Sequence, residues 1–197
     1  MKFYLFWAVL GLLCVVVMLG GNPVMDILRF DRLAIEQGQI WRLFTAHISH
    51  LSYAHAGMNL AALALTAYVA DQRRTALEWS LCWVWLMGTT GLGLYLLAPD
   101  LYYYVGLSGA LHGGLIAAIM TSPYYSARIR TLVVLVIVGK ILWEQSPFYD
   151  DLANLALIGG RVESRAHLFG GIAGLIWGAT MVLRVRISKH RAEQSVE

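Results

Sequence analysis

Residues Tyr102–Ala118, YYYVGLSGALHGGLIAA, set Ser108 between two glycines two residues apart on one side and adjacent on the other, then His112 four residues on, then unbroken apolar sequence. Residues four apart share a helix face, so a hydroxyl and an imidazole enter one face of an apolar helix together. Composition gives that helix its surroundings. Of 197 residues, 58% are hydrophobic and only 14% charged, outside the range of ordinary soluble domains. The chain therefore reads as an all-α integral membrane protein, one domain over 1–197, with no linker-like or low-complexity run. Its formal charge of +3 is spread among apolar segments and forms no basic stripe, so no nucleic-acid partner is expected. Cys14 and Cys82 lie inside apolar segments, where cysteine packs as a small soft side chain.

Six apolar segments, about 3–20, 55–71, 77–98, 107–122, 130–145 and 166–185, approach the ~20 residues a bilayer-crossing helix needs. The first follows Lys2 and has no small-residue cleavage site before Asn22, which favours a retained helix over a signal peptide. Lys2, Arg73, Arg74, Arg128, Arg130, Arg184, Arg186, Lys189 and Arg191 fall on one alternating side. Arg29, Arg32, Arg42, Arg161 and Arg165 oppose them. The basic majority marks the cytoplasmic side, so both termini are expected there and Ser108 opens the fourth span as seen from outside. The basic tail RVRISKHRAEQSVE is expected to meet anionic lipid headgroups.

That fourth span stops at Ser122–Pro123 and, at 1.5 Å per residue, covers about 24 Å, less than a typical hydrocarbon core. Ser108 should sit in a depression that water reaches, beside free backbone N–H groups and the positive end of the helix dipole. Such a place suits a developing oxyanion; the plainer alternative is that Ser108 is only a helix cap. Gly109 and Gly113 in the fourth span, and Gly170, Gly174 and Gly178 in the sixth, recur every four residues. Two bare faces of this kind pack backbone to backbone. His167 lies three residues before Gly170, near the same face and the same outer depth, where an imidazole can take the serine proton and return it to a leaving amine. Asp150 and Asp151 are read as solvated loop charges, leaving no acidic third member.

His55 and Asn59 share a face at the outer start of the second span and can donate hydrogen bonds to an oxyanion alongside the Ser108 amide. Helix–helix glue is the competing role for Asn59. His47, His50 and His55 cluster without the carboxylates or cysteines of a zinc site, so no metal or other cofactor is expected. The serine lacks the glycine two residues later, and the preceding strand, of a hydrolase elbow. Lys140, inside the fifth span, can snorkel from a helix end, and no inverted repeat suggests transport.

Trp41–Arg42, His55-x-x-x-Asn59, Gly106-Leu107-Ser108-Gly109 and Ala166-His167-x-x-Gly170-x-x-x-Gly174 together resemble the motifs of rhomboid intramembrane serine proteases. The resemblance covers about Trp41 to Gly178. It implies a six-transmembrane-helix rhomboid-like bundle, Ser108 as nucleophile, His167 as base, and His55, Asn59, Gly106 and the Ser108 amide around the oxyanion. Trp41 and Arg42 fall in the family's first loop as structural residues. Where many members carry a tyrosine four residues after the serine, this chain has His112, which can stack on His167, orient it or replace it as base. The string GLSGALHG and the short extensions look like the rhombosortase subgroup, which implies removal of C-terminal Gly-Gly-type anchors from exported proteins at a bacterial inner membrane, with the site open to the periplasm. The expected partners are then transmembrane substrates and membrane lipids. Two readings stand beside it: a general rhomboid protease of other membrane proteins, and a non-catalytic relative that binds membrane helices.

Overall fold

The structure, a computed structural model, describes residues 2–153 and 155–194; the end of the basic tail, 195–197, lies outside the described residues. It is mostly helical. Its long helices are α1 (Lys2–Leu19), α2 (Tyr53–Val69), α3 (Ala76–Leu97), α4 (Ser108–Thr121), α5 (Ala127–Glu144) and α6 (Ser164–Gln194). Their ends follow capping chemistry. Ser52 accepts the His55 N–H at the start of α2, Thr75 and Glu78 form a reciprocal capping box on α3, and Ser126 caps α5; each satisfies N–H groups a helix start leaves free. Ser122–Pro123 ends α4, because proline disfavours helical backbone in the residue before it.

Helix α4 is the hub. Nine of its fourteen residues are buried, the pattern of a helix enclosed on all sides. Its glycines explain how. A Cβ on Gly170 would collide with the Gly109 carbonyl, and one on Gly174 with the Gly113 carbonyl. The α4 and α6 backbones therefore touch. Trp7 of α1 packs against Trp79 and Trp83 of α3, with ring centroids 5.1 and 5.8 Å apart, closing the other side. Around this core Leu12, Val16, Leu132, Leu135 and Val136 are exposed, the lipid-facing surface of a bundle whose outside is as apolar as its inside.

Residues 20–52 form short helices folded onto one end of the bundle. Buried Arg32 donates to the carbonyls of Leu94, Tyr95, Ala98 and Leu101, capping the orphan C-terminal carbonyls of α3. Arg42 donates to the carbonyls of Asp26 and Arg29 and to the Gln39 side chain, a purely structural use. Beside them runs a two-residue antiparallel ladder, Phe30 opposite Tyr104 and Asp31 opposite Tyr103, which corrects the all-α expectation at one place. It ties this segment to the turn preceding Ser108.

Among the described residues, length and composition alone qualify fewer spans than the sequence pattern suggested. Ala76–Leu97 and Ser164–Gln194 pass, and Phe3–Leu19 with Gly21–Leu28, bent by 119°, makes a third candidate. Helices α2 and α4 are shorter, and α5 carries Arg128, Arg130, Lys140 and Glu144. Helix α6 runs to Gln194, beyond the apolar end expected near 185, with Arg184, Arg186 and Arg191 exposed along its last turns.

Candidate active site

Ser108 is the first residue of α4, with Leu107 at the cap position and no side-chain cap bond. The cap role is thereby ruled out. Its hydroxyl instead lies 2.9 Å from His167 Nε2, held there by the glycine contacts between α4 and α6 one turn below. Gly106, two residues earlier, has φ +127°, a backbone region that disfavours side chains. A Cβ there would also meet the His55 ring at 2.9 Å. Glycine at 106 thus both turns the chain into α4 and makes room for His55.

His112, one turn along α4, stacks on His167 with ring centroids 4.2 Å apart and planes at 27°. Its Nδ1 lies 2.8 Å from the Ser108 carbonyl, and since a carbonyl only accepts, that nitrogen carries the proton. The imidazole within hydrogen-bond distance of the Ser108 hydroxyl is that of His167. No hydrogen bond joins the His112 side chain to the Ser108 hydroxyl; its two ring nitrogens meet the Ser108 carbonyl and Lys140.

Ser108, His112 and His167 line a cavity of about 1210 Å³ together with His55 and Asn59. Asn59 is buried, and its amide nitrogen has no hydrogen-bond partner. An unsatisfied buried donor is costly, and Asn59 carries one beside the cavity. No neighbouring helix accepts a hydrogen bond from that nitrogen. No side-chain hydrogen bond joins His55 or Asn59 to Ser108; they share the cavity without touching the hydroxyl. His50 packs edge-on against His55 with centroids 5.0 Å apart, and His47 lies between the Met87 and Gly106 carbonyls. His47 and His50, both before α2, serve here as a bonding and a packing group.

Two residues in the site carried no motif. Glu144, the last residue of α5, places Oε2 2.8 Å from His167 Nδ1, and its Oε1 accepts from Lys140 Nζ. Lys140 Nζ lies 3.0 Å from His112 Nε2. Asp150 and Asp151, weighed as acidic partners from sequence, do not reach His167; Asp151 pairs with Arg161 at 2.8 Å. Lys140, half-exposed, thus meets both Glu144 and His112 at the edge of the site. A signal was available: Lys140 and Glu144 are four apart on the last turn of a span ending at the depth of His167, the spacing of a helical ion pair. Ligand atoms of His112, Glu144 and His167 lie within 4.8 Å of one another, a spacing that could suit a metal ion. The ammonium of Lys140 already bonds two of these three residues, so the cluster holds a cation of its own.

At the outer rim, Arg165 bridges Asp100, at 2.6 Å, and Glu163, at 2.7 Å. This fixes the start of α6, two residues before His167, to the turn after α3. The Arg165 hydrogen bond holds the Asp100 carboxyl below its usual range.

The family model described as Rhomboid domain matches residues 37–184, a stretch that includes every residue named above around the Ser108 hydroxyl. No curated protein matches the chain at a significant level. With three quarters of its length covered by that match, the chain belongs to the rhomboid family of intramembrane proteases.

Proposed function

We propose that the chain is an intramembrane serine endopeptidase that cuts a substrate helix near its outer end, with Ser108 as nucleophile and His167 as general base. The observation that carries this is the 2.9 Å approach of Ser108 Oγ to His167 Nε2 at the wall of a large cavity inside an apolar bundle. Ser108 Oγ attacks the scissile carbonyl while its proton passes to His167 Nε2. The carbonyl electrons move onto oxygen, where the Ser108 amide, His55 and the spare Asn59 amide supply donors. The proton then passes to the leaving amine as the C–N bond breaks, and water releases the acyl fragment by the same steps in reverse. Gly106 shapes the turn that leaves this pocket open, and His112 stacks behind the base.

In this reading all six long helices span the bilayer, both termini are cytoplasmic, and the cavity opens to the periplasm of a bacterial inner membrane. The 14 residues of α4 rise about 21 Å, so its N-terminus stays below the surface where water must enter to reach it. Irregular substrate backbone is tolerable only in such a wet place. The substrates are exported proteins with C-terminal Gly-Gly-type membrane anchors, the rhombosortase activity, which the sequence GLSGALHG and the replacement of tyrosine by His112 support.

The test is cleavage of a reporter carrying a Gly-Gly, apolar-span, basic-tail anchor in membranes holding the native chain, Ser108→Ala or His112→Phe. Cleavage that disappears with Ser108→Ala supports the protease. Cleavage of a generic transmembrane substrate but not of this reporter would sink the anchor specificity alone. If neither substrate is cut, a helix-binding role takes its place.

A further inference from the structure

Glu144 is a carboxylate where the fold gives little reason for one. Its side chain is 5% exposed, at the end of a helix that turns most of its length outward. A charge in that position is costly unless paired, and charged groups inside membrane bundles are functional candidates by default. Glu144 is paired twice, through different oxygens. Oε1 takes the ammonium of Lys140 one turn earlier, and Oε2 takes His167 Nδ1 on another helix.

Every proton in the cluster follows from its neighbours. A carboxylate only accepts, so His167 Nδ1 donates and the Nε2 lone pair is left facing Ser108 Oγ. An ammonium only donates, so His112 Nε2 accepts from Lys140 while its Nδ1 donates to the Ser108 carbonyl. The chain of bonds leaves Ser108 at its side chain and returns to it at its backbone, with no two donors or two acceptors opposed.

On the reading that Ser108 and His167 are nucleophile and base, we infer that Glu144 is the positioning residue of a Ser108–His167–Glu144 relay, with Lys140 and His112 holding its carboxylate in place. Glu144 fixes the imidazole in the tautomer that can accept the serine proton. As Oγ bonds to the substrate carbon and its proton moves to Nε2, His167 becomes a cation 2.8 Å from the carboxylate. The Nδ1 proton stays on the ring throughout; Glu144 stabilises the imidazolium and takes no proton itself. Between turnovers Lys140 balances the carboxylate, so the resting cluster carries no net charge. A two-residue site would need none of this arrangement.

The experiment uses the purified full chain in detergent with the reporter above, measuring kcat, KM, melting temperature and the rate at which a fluorophosphonate probe labels Ser108. Probe labelling reads serine reactivity without substrate binding. Glu144→Gln should lower kcat and labelling about 100-fold with KM and melting temperature little changed, and Glu144→Asp should recover part of both rates. A loss confined to kcat marks an interaction used in the transition state. Unchanged kcat and labelling in a folded Glu144→Gln protein would overturn the relay. Should that variant melt below the assay temperature, Lys140→Met combined with Glu144→Gln removes both charges together. Native rates in that double variant overturn the relay, and the same 100-fold loss supports it. Cleavage that depends on Ser108 but ignores Glu144 leaves the protease standing and removes only the relay. A native chain that neither cuts nor labels removes the protease, and the relay with it.

Discussion

Along the seam between α4 and α6, Gly109, Gly113, Gly170 and Gly174 let two backbones touch, whereas α5 reaches the same site with only Ile137, Ile141 and Glu144 buried. The seam presents the proposed nucleophile and base from two surfaces with no side chains between them. Backbone contacts offer no rotamers to adjust, so the Ser108–His167 distance is set by the fold. Helix α5 is seated by a stripe three residues long and contributes Glu144 and Lys140 from its final turn. One region fixes a distance; the other supplies charge from a lightly held support.

The sharpest way to break the contrast is Gly170→Val. Its side chain would run into the Gly109 backbone, and since neither helix has side chains there to rearrange, destabilisation of about 3 kcal/mol or more is expected. Melting in detergent should drop steeply, and a near-native melting temperature would mean the seam is looser than described. Ile141→Ala comes next. It empties part of the α5 stripe one turn from Glu144 and should cost about 2 kcal/mol, while slowing probe labelling of Ser108 because Glu144 loses its footing. A fall in stability with no change in labelling would uncouple α5 from the site.

Gly139→Ala should do almost nothing to packing, because a Cβ there meets no atom within 4 Å. Better helix propensity gives a gain of at most about 1 kcal/mol, so a lowered melting temperature would contradict the open face of α5. The smallest effect belongs to the rim. Since Arg165 holds the Asp100 carboxyl below its ordinary value, the pair adds stability above about pH 4. That contribution is lost as pH falls through the lowered value. Asp100→Asn should therefore melt slightly below the native chain at neutral pH, with the gap closing on acidification. A gap that persisted in acid would show that Arg165 holds Asp100 by packing and not by charge.

What the sequence could and could not reveal divides along similar lines. The four-residue recurrence of Gly109, Gly113, Gly170 and Gly174 is a local pattern, and it announced both the seam and the meeting of Ser108 with His167. His112 and His55 were likewise legible from i,i+4 spacing on a helix face. Glu144 was overlooked although it stands four residues after Lys140, because it closes an apolar segment ahead of the uncharged QSPFY and belongs to no motif. Only the position of α5 beside α6 turns it inward. Arg32 and the Phe30–Tyr104 pairing were hidden for a related reason. Both join residues some seventy positions apart, and neither leaves a periodic signal. Helix ends at α2, α4 and α5 were close to their expected places because serine caps and the Ser122–Pro123 stop are written locally.

The glycine seam also bears on how the surrounding lipid can act on this protein. A bilayer thinner or thicker than the bundle imposes tilt and local deformation at modest cost per ångström of mismatch, and loosely seated elements absorb it first. Two backbones in direct contact are close to incompressible. Membrane thickness should thus shift α5 first, and with it Glu144 and Lys140, while the alignment of Ser108 with His167 stays the same in every bilayer that holds the folded chain.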